Sequence, residues 1–375
     1  MGERILVDLL GYTGTRGGTE TYARELLPLV ARRMPQIEWV GLVNTAGRDE
    51  VRAFFPGEIR PVARVGAGRV SWAAGEILGV DRAARAAAAD LVWSPANFGP
   101  VRRGVPRVAT VHDVIYHEVP GGPAERASRA VTSWLMTRSA RTADSIITVS
   151  HAAKASIAAQ LGVAAERIHV VHNGSSTPAP PDDPWRVLAD MVAAPSRPIV
   201  LSTGNRMPHK NFEGLLRAIA CLPPAARPLT VIPGSHGDDP LRASIAQLGL
   251  ERDVLLPGWV TGPQLEALYA VAGLYVCPSL VEGFGLPVVD ALRRGCRVLA
   301  NDVPVLREVG GDVSRYADAT APETFAQAIQ SILGASDALA DRDARRQWAS
   351  RFTWDAAADA TAGVLAAALE SRVRS

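Results

Sequence analysis

Short apolar runs recur along the whole chain, and between them apolar and polar positions alternate with helical spacing. The runs read as strands buried on both faces of a sheet. In the first half they are ILVDLL (5–10), IEWVGLV (37–43), IRPVARV (59–65), DLVWS (90–94), RVATVHDV (107–114), SIITVS (145–150) and IHVVHN (168–173). In the second half they are PIVLSTG (198–204), LTVIPGS (229–235), DVLLPGWV (253–260), LYVCPS (274–279) and CRVLAND (296–302). Strands that alternate with helices predict parallel sheets with crossover connections. A proline-rich, acidic stretch, Ser175 to Pro198, separates the halves and reads as a linker plus a short helix. The expectation is an α/β chain of two doubly wound domains, residues 1–180 and 198–354, joined by a linker at 181–197. In such sheets ligands bind outside the carboxyl ends of the strands. Two facing sheets would enclose a cleft. The tail from Phe352 reads as a last helix capped at Thr353.

At 375 residues, two domains is also the length-based prior. A net charge of +2 and no long basic run give no ground for expecting nucleic acid as a partner. The first residues, MGERILVDLLGY, read as a strand start and lack the layout of a signal peptide. No stretch free of charges reaches transmembrane length. Cys221, Cys277 and Cys296 sit in or beside apolar runs without metal-ligand spacing. They read as reduced core residues, which sets the expectation of a cytoplasmic protein. The seven histidines show no metal-ligand spacing either, so no metal is expected. Only two of the 40 basic residues are lysines, Lys154 and Lys210, so a lysine inside a motif carries more information than usual.

The most informative stretch is SLVEGFGLPVVDALRRGCRVLA, Ser279 to Ala300. A buried strand ends near Ser279. Glu282 follows, then Gly283 and Gly285 flank Phe284, and Pro287 suits the first position of a helix. Arg293 and Arg294 complement the negative end of that helix, and Gly295 suits the position after it. Free amides at such a helix start form an anion site. Acids beside it, Glu282 and Asp290, suit sugar hydroxyls better than an anion.

This segment resembles the E-x7-E signature of retaining glycosyltransferases of the GT-B fold, family four, the group 1 glycosyltransferases. One departure is that the second acid, usually Glu, is Asp290 here. The resemblance implies that Glu282 and the amides of Phe284 and Gly285 orient a donor sugar. It also implies that amides near Leu286, beside Pro287, receive the diphosphate and that Asp290 meets the ribose. In the family the last helix crosses back onto the first domain, and the same is expected of residues 355–375.

Three further motifs support the resemblance. STGNRMPHKNFEGLLRAIA (202–220) places Arg206 and Lys210 in a loop after a strand, where fixed cations would stabilise a departing diphosphate. A phosphate-binding P-loop is excluded there by His209 and Asn211. RGGTETYARELLPLV (16–30) carries Gly17 and Gly18 before a helix, as in the family's glycine loop, which contacts donor phosphate or acceptor. ATVHDVIYHEVP (109–120) resembles the family's H-D motif; His112 would touch the transferring sugar, Asp113 would orient the loop, and Tyr116 and His117 would line an acceptor pocket. WSPANFGP (93–100), TVSHAAKASI (148–157), VVHNG (170–174), GSHGD (234–238) and PGWVTGPQLEALYAVAGLYV (257–276) extend the resemblance over nearly the whole chain, with Trp259 and Val260 near the nucleotide base. The D-x-D spacing at Asp341 and Asp343 lies in a polar helical tail and is set aside. The segment 123–143 mixes arginines with Trp134, Leu135 and Met136; its apolar stripe reads as a core face, with an anionic membrane surface as the alternative.

The expectation is a metal-independent, cofactor-free retaining transferase. It would take a UDP- or GDP-linked sugar as donor and an alcohol (glycan, lipid-linked glycan or natural product) as acceptor. No carboxylate pair suited to double displacement stands out. A nucleotide-sugar epimerase and a catalytically silent sugar-nucleotide binder are the alternatives.

Overall fold

The computed structural model describes residues 2–14, 17–62, 65, 69–102, 104–115, 126–176, 179–192, 196–235 and 237–373. Arg16, Tyr116, His117 and His236 lie outside them. The chain divides into two compact units. One comprises Met1–Gly174 with Phe352–Ser375, the other Ser175–Arg351.

The first unit is built on β1 (Arg4–Leu9), β2 (Glu38–Asn44), β3 (Glu58–Val62), β4 (Leu91–Ser94), β5 (Arg107–Thr110), β6 (Ser145–Thr148) and β7 (Ile168–Val170). They form one sheet in the order β3-β2-β1-β4-β5-β6-β7. Every pairing is parallel, and Ile5 stands beside Trp39 on one side and Leu91 on the other. The central strand Arg4–Leu9 is buried almost throughout, as an apolar run covered on both faces must be. The last helix, Trp354–Val373, packs on the first, Gly18–Arg33. Arg33 reaches Asp355 at 2.7 Å and Asp359 at 2.6 Å, and the Trp354 ring meets that of Tyr22. Thr353 caps this helix, its hydroxyl accepting from the Ala356 N–H at 3.1 Å. The return of the C-terminal helix to the first unit is therefore seen.

The second unit carries β8 (Ile199–Leu201), β9 (Leu229–Val231), β10 (Val254–Leu255), β11 (Leu274–Cys277), β12 (Val298–Asn301) and β13 (Arg315–Ala317), in the order β10-β9-β8-β11-β12-β13, again all parallel. Strand order reverses between β1 and β4 in one sheet and between β8 and β11 in the other. Both are doubly wound sheets with a switch point where loops part and a ligand can enter.

Four details depart from the expectation. Strand β13 has no apolar run to announce it and is partly exposed. The stretch 181–197 holds the short helix expected there, Pro184–Leu188, but it is no free joint: the helix packs on helix Gly262–Val271 with Leu188 fully buried, inside the second unit. Cys221 is exposed, whereas Cys277 and Cys296 are buried. In helix Arg126–Thr142, Leu135, Met136 and Ala140 enter the core, but Val131 and Trp134 point to solvent. No helix among the described residues is long and apolar enough to cross a membrane.

Candidate functional site

In the second unit the predicted strand–loop–helix is present. Strand β11 is wholly buried, and the loop beyond it is tied down by two bonds. The Leu280 N–H donates to His209 O at 2.7 Å, and the Asn301 side chain donates to Ser279 O at 3.0 Å. Phe284 is buried and anchors the turn. Gly285 has φ +89°, and a Cβ there would sit 2.7 Å from Leu306 Cδ2, so the turn requires glycine. Helix Leu286–Arg293 follows, with Pro287 in its first turn and no side-chain cap on its amides. Its end is closed as expected: Gly295 has φ +79°, and its N–H donates to Leu292 O at 2.9 Å.

The loop after β8 meets this turn. Gly234, at φ +105°, lets the β9 loop approach so closely that a Cβ would lie 2.6 Å from Gly204 O. Lys210 ends a short 3-10 turn, Pro208–Lys210. Its Nζ lies 2.7 Å from Glu282 Oε1, with side-chain exposures of 17% and 9%. Two motifs far apart in sequence thus converge on one ion pair at the carboxyl ends of β8 and β11.

Arg206 stands elsewhere than expected. Its guanidinium is buried and forks onto Asp239, with Nη2–Oδ2 at 2.8 Å and Nε–Oδ2 at 3.0 Å. It also donates to the carbonyls of Gly204 (2.9 Å), Pro233 (3.2 Å) and Ile232 (2.7 Å). All five N–H donors of an arginine are thereby engaged. Burial alone would raise the Asp239 carboxyl, but hydrogen bonds from Arg206 and the Leu241 N–H outweigh it and hold it below the usual carboxylate range. In this structure Arg206 locks the loops after β8 and β9 and has no donor left for a phosphate.

Asp290 lies on helix Leu286–Arg293. Its Oδ1 accepts from Ser175 Oγ at 2.5 Å and lies 3.8 Å from Arg294 Nη1. Burial raises its pKa, against the opposing effects of Arg294 and Ser175. Arg294 is itself fixed: it lies over the Tyr269 ring at 4.7 Å, bonds both oxygens of Glu266 and donates to Asp290 O and Ser176 O. Val260, half-buried, precedes the capping box of Thr261 and Gln264 that starts helix Gly262–Val271.

In the first unit Gly17 and Gly18 begin helix Gly18–Arg33 without a side-chain cap, and a Cβ at either would meet nothing within 4 Å. The fold therefore does not itself demand glycine there. His112 is buried; its Nε2 donates to Pro95 O at 2.9 Å, and its ring stands edge-on to Tyr22 at 4.7 Å. Burial pushes the imidazole pKa down to about 4. At neutral pH the ring is uncharged, with its proton on Nε2 facing a carbonyl and its lone pair on Nδ1. Asp113 accepts from the Ile115 N–H at 3.2 Å, within its own loop.

Sequence reasoning missed Asp239, Glu266 and Ser175. Glu266 leaves a trace, as a lone acid among apolar residues in PQLEALYA. Asp239 and Ser175 leave none, because their partners are distant in sequence.

Two family models match in tandem, "Glycosyltransferase Family 4" over residues 16–177 and "Glycosyl transferases group 1" over residues 189–350. The chain is 31% identical over 237 residues to O-antigen chain mannosyltransferase B of Escherichia coli, covering 61% of each. It is 29% identical over 279 residues to the MMP alpha-(1->4)-mannosyltransferase of Mycolicibacterium hassiacum, covering 70% of this chain and 66% of that one. The matches span about three-fifths of the length of the first curated relatives. Among solved structures, the sucrose-phosphate synthase of Thermosynechococcus elongatus superposes with a TM-score of 0.75 at 18% identity, covering 95% of this chain and 96% of that one. Anabaena Alr3699/HepE, solved with UDP, gives 0.71 at 19% identity, covering 97% of this chain and 100% of that one.

Proposed function

The chain belongs to the group 1 glycosyltransferases, with the GT-B fold, and from that premise we propose that it moves a sugar from a nucleoside-diphosphate sugar to an alcohol acceptor. The observation that carries this reading is the Lys210–Glu282 pair beside the uncapped start of helix Leu286–Arg293, at the switch point of the second sheet. The ammonium and the Leu286 amide are assigned to the departing diphosphate; Pro287 has no N–H, and Val288 already donates to Gly285 O at 2.9 Å. Charge grows on that group as the glycosidic bond breaks, so fixed donors there favour the transition state over the ground state. Glu282, held by Lys210, is placed to accept from sugar hydroxyls, with the amides of Phe284 and Gly285 completing the cradle. Asp290 is assigned to the ribose. Arg206 is assigned as a positioning residue that keeps the Lys210 loop in place.

His112 enters the proposal as a neutral acceptor for a substrate hydroxyl through Nδ1. Gly17 and Gly18 leave room for ligand atoms at the first helix. The course proposed is retention without a metal, the leaving phosphate taking the acceptor's proton on the same face. Glu282, already paired with a cation, is a poor candidate for a covalent nucleophile. The mannosyltransferases among the relatives and the UDP and UDP-glucose bound to the Anabaena protein support a nucleotide-sugar donor and make GDP-mannose the first to test.

The test is incubation of the purified protein with labelled GDP-mannose and UDP-sugars and a panel of alcohols. Label appearing on an alcohol, with release of nucleoside diphosphate, is the expected result. Donor isomerisation without transfer would make the protein an epimerase, and binding without turnover across the panel would make it a silent binder.

A further inference from the structure

The shortened acid of the E-x7-E motif is not simply one methylene further from its ligand; it has a partner. Ser175 Oγ donates to Asp290 Oδ1 at 2.5 Å, and Ser175 is itself buried at 4% exposure. The neighbouring backbone is held too, since Arg294 donates to Ser176 O while Glu266 and the Tyr269 ring fix its guanidinium. The Asp290 side chain remains 27% exposed, and Oδ2 has no hydrogen-bond partner among the described residues. A carboxylate offers acceptor sites on both oxygens. Here one oxygen is turned inward to a buried hydroxyl, and the other is left for a ligand.

We propose that Ser175 makes Asp290 a one-oxygen acceptor, so that the site reads a single hydroxyl of the ribose rather than the vicinal pair. Ser175 acts as a positioning residue that decides which nucleotide hydroxyl is recognised. The inference rests on the reading of the second unit as the nucleotide-sugar site.

The experiment is calorimetric titration of the full chain with GDP and UDP and with their 2′-deoxy and 3′-deoxy forms. For the nucleoside that binds, removal of one hydroxyl weakens binding about tenfold or more, the range for a lost hydrogen bond to a charged group, and removal of the other changes it by less than about twofold. In Ser175→Ala, Oδ1 is released and the difference between the two deoxy forms shrinks to within about twofold; Ser175→Thr, which keeps the hydroxyl, retains it. Ser175→Gly is the second test of the released state should the alanine variant not fold. Equal losses for both deoxy forms in the native protein, no loss for either, or a difference that survives both Ser175→Ala and Ser175→Gly would each overturn the proposal while leaving the donor site intact. A native protein that binds neither GDP nor UDP overturns this inference together with the reading on which it rests.

Discussion

Lys210 and Glu282 are the residues whose chemistry the account needs most, and Arg206 is the one whose role changes once the side chains are placed. A buried arginine that has lost its carboxylate partner, or the reverse, leaves an uncompensated charge. Arg206→Ala should therefore cost roughly 3–5 kcal/mol of stability in urea unfolding, with Asp239→Ala close behind. A catalytic cation would instead lower turnover with stability unchanged. His112 gives a pH signature. Its folded pKa is about 4, below the ordinary imidazole value of 6.5, so the unfolded chain binds the extra proton first as pH falls. Its contribution to stability is complete above the unfolded value and is lost progressively between the two. From pH 7 to pH 5 the native protein should lose up to about 2 kcal/mol more than His112→Gln in parallel unfolding curves. Asp8 and Glu76 run the other way: burial raises both carboxyl groups, and Glu76 is pushed further up by the neighbouring Asp8. A protonated folded form means that stability falls as pH rises from the unfolded carboxyl range through the raised values. Glu76→Gln should flatten that fall as pH rises above the unfolded carboxyl range, read in unfolding curves.

At the level of elements, what could be read in advance was what a local pattern dictates. Apolar runs marked twelve of the thirteen strands among the described residues, because a strand covered on both faces has nowhere to place polar groups. Strand β13 escaped, being three residues long and half exposed. The turn at Gly285 and the end at Gly295 were legible because positive φ selects glycine. The direction of Arg206 was not. A loop position after a strand fixes where a side chain begins, while its fork is decided by Asp239 and the carbonyls of Ile232 and Pro233, which only the fold brings to it. Ser175 was silent for the same reason. The glycines of the two units also differ in kind. Gly285→Ala meets both a positive φ and Leu306 and should lose about 1–3 kcal/mol of stability. Gly17→Ala has open space and an ordinary φ of −78°, so it should melt like the native protein. Its effect, if the glycine loop meets substrate, is a raised KM in the transfer assay.

For the whole molecule, two sheets of like winding and a chain that returns to its first unit were expected from the alternation of elements and from the family resemblance. The returning helix is part of the first unit's core: Ala358, Thr361 and Leu365 are fully buried. Truncation after Arg351 should therefore unfold the first unit while the second, whose core draws on residues such as Leu215, Val276 and Ile329, keeps its hydrogen-exchange protection.

If the Lys210 ammonium stabilises a departing diphosphate, single-turnover transfer from a labelled nucleoside-diphosphate sugar must depend on it. Lys210→Ala, folded and melting like the native protein, is expected to transfer sugar about 100-fold or more slowly. A Lys210→Ala protein that transfers sugar at the native rate would contradict it.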